Sequence, residues 1–592
     1  MNYGLIEDYA QLDSMGVSVK GKIAVARYGR SYRGIKAREA EKRGAVGLVI
    51  YSDPQDDGFV RGDVYPEGPM RPEQGVQRGS ILNPDGDPST PGYPSRPGAK
   101  RVPAAELDVS RIPVVPMSYG NAAELLRGLR GTDVPREWQG GLPFHYHAGP
   151  GPVVAHLLVQ SDTATAAIKQ IWDTFGIVRG SEFPDQIVMI GGHRDAWGPG
   201  AADNVSGTVS VMEAARAVAD AVKAGHRPKR TIIFATWDAE EWGLLGSTEY
   251  VEDDSLRLQR GGVAYLNQDV AAQGAAFGGG GSPSLRSTLR DIAKEVKDPG
   301  GKGSVYQAWR ERAAVPDSAE PRMGDPGGGS DFAGFYNHLG IPIAEWGFGG
   351  AGGVYHSFYD DFHWMSKFGD PTFAYHATAA KIGAAMILRL ANADILPYDY
   401  VEYARTMKGY IPRVTKAIGE KGWNTSVAPL SGAIDAMESA AAEFAAARDA
   451  VLARGVPSKS VRSNTNAALL RVERSLTRPE GLRTRPWFRN LIYAADENNG
   501  YANMVFPSVN EAIRSGDRAL AEREIADLAS RFQAATKAIR DATSALGGGA
   551  AVGDGNASAP KKRPPKGAVT DTSYRAPGDS LRARPVRPDT TP

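Results

Sequence analysis

The chain contains no cysteine. Disulfides, a thiolate nucleophile and sulfur ligands to a metal are therefore excluded, while the compartment stays open. No apolar run approaches the ~20 residues that a membrane-spanning helix requires. Lysine plus arginine number 69 against 68 aspartate plus glutamate, a net charge of +1, so nothing directs the chain to nucleic acid or to an anionic membrane surface. The opening stretch MNYGLIEDYAQLDSMG lacks the basic and apolar regions of a signal peptide. As it stands, the chain is expected to be soluble and to carry no export address.

What is present is a long chain of ordinary globular composition. At 592 residues it exceeds what one hydrophobic core supports, so three or so domains are expected. Its 70 glycines and 40 prolines indicate many tight turns and irregular loops. Residues 1–166 read as strands and turns: KGKIAVARYG and AVGLVIYSD are strands, with GIKAREAEKRGA as a helix between them. A long Pro/Gly/Asp-rich loop from Tyr65 to Gly98 follows, and loops of that length inside a compact domain usually carry function.

Residues 167–393 alternate strand and helix. DQIVMIGGH, RTIIFATWD, GVAYLNQDV and GIPIAEWG are short apolar strands with helical segments between them, the pattern of a largely parallel α/β sheet. Residues 394–546 are helical and alanine-rich; Met437, Phe444 and Val451 recur at the seven-residue spacing of a buried helix face. Residues 547–592 have no apolar periodicity and are expected to be disordered.

Ligands of α/β sheets bind beyond the carboxyl ends of the strands. Six polar residues fall there: His193 and Asp203 in IGGHRDAWGPGAADN, Glu240 and Glu241 in DAEEWG, Asp269 in LNQD, and His356 in GVYHS. Taken singly, a histidine is more often a core or surface residue, and an aspartate in a glycine-rich loop is usually a turn or cap residue. Six of them past the strands of one sheet are not explained that way. Oxygen and imidazole donors without sulfur suit zinc, with cobalt or manganese as alternatives. Six groups exceed one zinc, so two ions are expected, in which case a pair ~3.5–4 Å apart would share a bridging carboxylate. One of the adjacent glutamates then binds metal, and its neighbour stays free as general base for the bridging water.

The string GGHRDAWGPGAADNVSG, followed by TIIFATWDAEEWGLLGSTEYVE, VAYLNQD and YHS, resembles the di-zinc exopeptidase family that includes glutamate carboxypeptidase II. The transferrin receptor is a non-catalytic relative. The resemblance extends over almost all of residues 1–545 in order. It implies an α/β/α di-zinc peptidase sandwich at 167–393, a β-rich protease-associated domain at 1–166, and a helical dimerisation domain at 394–546 that makes a homodimer. His193 and Asp269 would complete one zinc, Glu241 and His356 the other, and Asp203 would bridge both. Glu240 matches the general base, and Tyr355 a tyrosine that steadies the tetrahedral intermediate. Asp195 would orient the His193 imidazole. Thr90 and Tyr93, with Glu249 and Glu252, match a structural calcium site; without the resemblance the two glutamates read as a solvated helix face. The resemblance also implies a periplasmic or secreted setting.

In substrate binding the chain departs from the family's glutamate-specific member. Arg33 matches the arginine that holds the substrate's free carboxylate. Ser80 stands in place of an asparagine. Gly500 stands in place of the lysine that grips the glutamate side chain, although Tyr501 is retained. Glu345 and Gly347 occupy two positions of an arginine patch. The expectation is a carboxypeptidase or dipeptidase with weakened glutamate preference, its terminal pocket enlarged at Gly500. The alternatives are an aminopeptidase on the same scaffold and a non-catalytic receptor-like binding protein. The match begins inside the protease-associated domain, so a late start or a shortened relative is expected, with a sheet lacking edge strands.

Overall fold

A computed structural model describes residues 1–160 and 170–547. The tail expected at 547–592 lies outside these residues except for Gly547, which closes the last helix, and so does the boundary expected at 166/167.

The first part is built on a three-stranded parallel sheet of β1 (Ile23–Arg27), β2 (Gly47–Tyr51) and β3 (Val114–Met117), with β2 in the centre. All five residues of β2 are buried, as expected for a parallel strand covered on both faces. The helix Arg33–Lys42 makes the crossover from β1 to β2. A two-stranded ribbon, β4 (Thr132–Asp133) and β5 (His147–Ala148), completes this part. The long loop is irregular, and it is anchored on the second part: the Arg78 N–H donates to the His356 carbonyl at 2.9 Å, and the Gly86 N–H to the Gly243 carbonyl at 2.8 Å.

The second part is a six-stranded sheet. Its strands are β6 (Thr174–Val178), β7 (Phe183–His193), β8 (Arg230–Trp237), β9 (Gly262–Asn267), β10 (Ala276–Gly281) and β11 (Ile343–Gly349), in the order β10-β11-β9-β7-β8-β6. The four inner strands are parallel, as the apolar runs predict, while the edge strands β6 and β10 are antiparallel. Ile187 to His193 of β7 and every residue of β9 are buried, so the sheet is covered on both faces. The helices Gly207–Lys223 and Ala374–Asn392 pack on it together.

Beyond Tyr400 the chain is mainly helical, with Met437 and Phe444 buried and Val451 half-buried on the helix Ala428–Ala453. The helical expectation needs one correction: a two-stranded hairpin, β12 (Tyr493–Ala495) and β13 (Asn503–Val505), interrupts it and carries Tyr501 at its tip. One apolar core runs from Ile187 to Leu546, joining the sheet to these helices. Among the described residues no helix is long and apolar enough to cross a membrane.

Candidate metal centre and substrate clamp

The five expected metal donors and the expected base, Glu240, all lie past the carboxyl ends of the parallel strands, within one site. His193 closes β7, Glu240 and Glu241 follow β8, Asp269 follows β9, His356 lies in the loop after β11, and Asp203 sits in a wide turn, Ala201–Ser206. Asp203 reaches both imidazoles: Oδ1 is 3.3 Å from His193 Nε2, and Oδ2 is 3.1 Å from His356 Nε2. Asp269 Oδ1 lies 3.3 Å from His193 Nε2, and Glu241 Oε2 lies 3.1 Å from His356 Nε2. The adjacent glutamates diverge, for Glu240 Oε2 turns towards His193, at 3.9 Å.

The donor set fits cations. Four carboxylates converge on two imidazoles, and Glu241 Oε1 is buried without a partner. Burial drives the Glu240 carboxyl well above the usual carboxylate range. Burial, then the Asp203 charge, pushes Glu241 up to about 9. Burial opposes the charged form of His193, yet Glu240 and Asp269 raise it well above its ordinary value. A site of this kind stores uncompensated negative charge that divalent cations would neutralise.

Several side chains hold these donors in place. The Asp195 carboxylate accepts the N–H groups of Glu240 and Glu241, each at 3.1 Å, and so fixes the turn that splays them. Its role towards His193 differs from the expectation, since the imidazole Nδ1 bonds the Asp195 backbone carbonyl at 3.0 Å, with the carboxylate at 3.6 Å. His356 Nδ1 bonds the Arg78 carbonyl at 2.9 Å. Both histidines thereby keep Nε2 free for a ligand role. Asn204 donates to the carbonyls of His193 and Gln268, each at 3.0 Å, and its Oδ1 accepts from Val270 N at 2.9 Å, joining three of the loops. The Asp360 carboxylate accepts from the N–H groups of Ala202 and Asp203. Ser330 Oγ donates to Asp269 Oδ2 at 2.6 Å. Asn204, Asp360 and Ser330 were not singled out by the sequence, because their contacts join distant loops.

Beside the cluster a cavity of about 800 Å³ runs from the metal donors past Leu244 and Leu82 to Trp487. Arg33 lies on its wall at 6% exposure. Its Nε donates to the Ser80 carbonyl at 2.9 Å and its Nη1 to the Tyr501 hydroxyl at 3.0 Å, and its guanidinium lies 5.2 Å from the centre of the Tyr32 ring. None of these partners is a carboxylate. Ser80 thus supports Arg33 through its backbone, and its hydroxyl accepts from Leu82 N at 3.0 Å. Tyr355 stacks on His356 with ring centres 3.7 Å apart.

One specificity expectation changes. Gly500 does not enlarge the pocket as expected: a Cβ there would lie 2.5 Å from Tyr32 Cβ, so Tyr32 fills that space. Glu345 is not on the cavity wall but faces Gly280 of β10, where a Cβ would lie 3.1 Å from its Oε1. Burial, then the Asp269 charge, pushes the Glu345 carboxyl up to about 7. Gly347 backs onto the Val270 carbonyl, 2.9 Å from where a Cβ would stand.

At the expected calcium site, Glu252 Oε1 accepts from Gly92 N and from Trp487 Nε1, each at 2.9 Å, and Glu249 Oε2 accepts from Ser95 N. Thr90 Oγ1 and Glu249 Oε1 are buried without partners, while the Tyr93 hydroxyl donates to the Lys100 carbonyl.

The model for peptidase family M28 matches residues 174–370. A PA domain matches 2–125, and a transferrin receptor-like dimerisation domain matches 425–540. The probable glutamate carboxypeptidase LAMP1 of Arabidopsis thaliana is 38% identical over 555 residues, covering 92% of this chain and 78% of that protein. The aminopeptidase NAALADL1 of Mus musculus is 32% identical, covering 88% of this chain and 74% of that protein. A glutamate carboxypeptidase 2 homolog of Caenorhabditis briggsae is 32% identical, covering 89% and 73%.

Proposed function

The chain belongs to peptidase family M28 and is a zinc metallopeptidase, and we propose that it is a two-zinc exopeptidase that removes neutral residues from the carboxyl end of short peptides. The observation that carries this reading is Arg33, a buried guanidinium on the cavity wall whose protein partners are a carbonyl and a phenol rather than a carboxylate. A free α-carboxylate would supply the missing counter-charge, as a pair worth about 1.5–3 kcal/mol.

His193 and Asp269 would hold one ion and Glu241 and His356 the other, and Asp203, whose two oxygens face the two imidazoles, would serve both. When bound, the two ions would polarise the scissile carbonyl and lower the pKa of the attacking water towards ~7. Glu240, whose Oε2 lies on the His193 side, is the group that would take a proton from the attacking water and deliver it to the leaving amine. The Tyr355 hydroxyl, held beside the site by the stacking on His356, donates to the oxygen that gains charge. Arg33 and the Tyr501 hydroxyl seat the terminal carboxylate, and Tyr32 and Leu244 give the terminal side chain an uncharged wall.

The unpartnered Thr90 and Glu249 oxygens, with Glu252 and the Tyr93 segment, support a structural calcium ion between the long loop and the helix Leu245–Asp253. The dimerisation-domain match supports a homodimer through the helical region. Retention of every metal donor and of Glu240 disfavours a non-catalytic binding protein. Because named relatives include an aminopeptidase, the deciding experiment uses one tripeptide blocked at either end. Activity should survive N-acetylation and fall at least tenfold on C-terminal amidation, a loss that the Arg33 pair would cause. The opposite pattern would make the enzyme an aminopeptidase.

A further inference from the structure

One short segment, Asp325-Pro-Gly-Gly-Gly-Ser-Asp331, touches both the carboxylate clamp and a metal donor. At its start, the Asp325 carboxylate accepts from Tyr410 OH at 2.7 Å and Tyr493 OH at 3.1 Å, and pairs with Arg286 at 2.6 Å. Tyr493 lies on β12, so this hub grips the hairpin whose tip carries Tyr501. The glycines then run directly against that tip. A Cβ on Gly327 would lie 2.2 Å from the Tyr501 carbonyl, one on Gly328 2.5 Å from the Gly500 carbonyl, and one on Gly329 2.7 Å from the Tyr501 ring. The Gly328 N–H donates to the Tyr501 carbonyl at 3.1 Å.

The next residue is Ser330. Its Oγ accepts from Asn267 Nδ2 at 2.9 Å and donates to Asp269 Oδ2 at 2.6 Å. That bond engages one Asp269 oxygen and leaves the other, Oδ1, facing His193 Nε2 at 3.3 Å. Asp331, fully buried with both carboxylate oxygens unpartnered, closes the segment. With its three glycines packed this closely, the segment has little room to move independently of Tyr501.

We propose that Ser330 is a positioning residue for the Asp269 carboxylate, and that the glycine run links it to Tyr501, so that a seated terminal carboxylate tightens metal holding at the Asp269 end. The link rests on the carboxy-end reading; the positioning does not. Residues that orient a metal ligand by a hydrogen bond are typically worth 10–100-fold in metal affinity. Coupling between two sites is reciprocal, so a ligand that seats on Arg33 must alter zinc affinity if the link exists.

The test is zinc competition against a chelating dye on the whole protein, with and without N-acetyl-leucine, which presents a free carboxylate and no amine. Ser330→Ala should weaken the looser zinc at least tenfold, and Ser330→Thr, which keeps the hydroxyl, should restore most of it. N-acetyl-leucine should tighten zinc in the parent and in Ser330→Thr, but not in Ser330→Ala or Arg33→Ala. If Ser330→Ala does not fold, Asn267→Ala, which removes the donor to Ser330, should show the same two losses in smaller measure. Unchanged zinc affinity in the folded serine or asparagine variant would overturn the positioning role. Weakened zinc with the N-acetyl-leucine effect intact would overturn the link. If N-acetyl-leucine does not bind the parent by calorimetry, the carboxy-end reading fails and takes the link with it, while the zinc comparison still decides the role of Ser330.

Discussion

Tyr32 occupies the space beside Gly500: a Cβ on residue 500 would stand 2.5 Å from the Cβ of Tyr32, and Gly500 also adopts a φ of +84°. Both features disfavour a side chain at this position. Gly500→Lys should therefore lower kcat/KM for every peptide without raising preference for a terminal glutamate. Combined with Tyr32→Gly, which removes the opposing Cβ, the lysine gains room, and the ratio of glutamate- to leucine-terminated kcat/KM should then rise. A tenfold rise in that ratio for Gly500→Lys alone would show that Tyr32 does not close the position.

Glu240 and Glu241 are held by one carboxylate yet point to different imidazoles, and their replacement should separate two functions. Glu240→Gln should retain both zinc ions and reduce kcat by roughly 100-fold or more, the range lost with a general base. Glu241→Gln should lose zinc. Metal content by atomic absorption, measured beside kcat, checks both; full activity in Glu240→Gln would remove it from the proton-transfer role.

A pH effect on stability is expected where the sheet meets the C-terminal helices. Glu473 is buried there, with Ser284 Oγ donating to its Oε1 at 2.5 Å and its Oε2 left without a partner. Burial pushes its carboxyl from 4.5 up to about 7. The folded state thus binds a proton that the unfolded state releases, so the favourable contribution is full below about pH 4.5 and is lost as pH rises through about 7. Glu473→Gln should be more stable than the parent at pH 8, by on the order of 2–3 kcal/mol, and about equal near pH 4.5. Melting curves at the two pH values check this.

Calcium should raise the melting temperature of the parent, because a ligand bound only by the folded state stabilises it by mass action, about 2.7 kcal/mol at 100 times Kd. Glu249→Gln should abolish that rise. An equal rise in parent and variant would place the ion elsewhere.

The strand and helix alternation between Asp185 and Gly347 was legible because each inner strand is a short, uninterrupted apolar run. β10 was not, since four of its six residues are glycine and it is held by pairing with β11 rather than by its own side chains. The metal donors were legible because chemistry-bearing residues recur after successive strands. The residues that orient them were not: Ser330 meets Asp269 across 61 positions, Asn204 meets Gln268 across 64, and Asp360 meets Asp203 across 157. A serine, an asparagine and an aspartate in loops look the same whether or not such a partner exists. The filling of the Gly500 space by Tyr32 was hidden for the same reason, the two being brought together only by folding.

The most direct measurement is a double cycle of Arg33→Ala and C-terminal amidation on one N-acetylated, leucine-terminated peptide, read as kcat/KM. If Arg33 pairs with the terminal carboxylate, amidation should cost the parent about 10–100-fold and the variant almost nothing, a coupling of about 1.5–3 kcal/mol. Amidation that costs parent and Arg33→Ala equally would contradict the carboxy-end account.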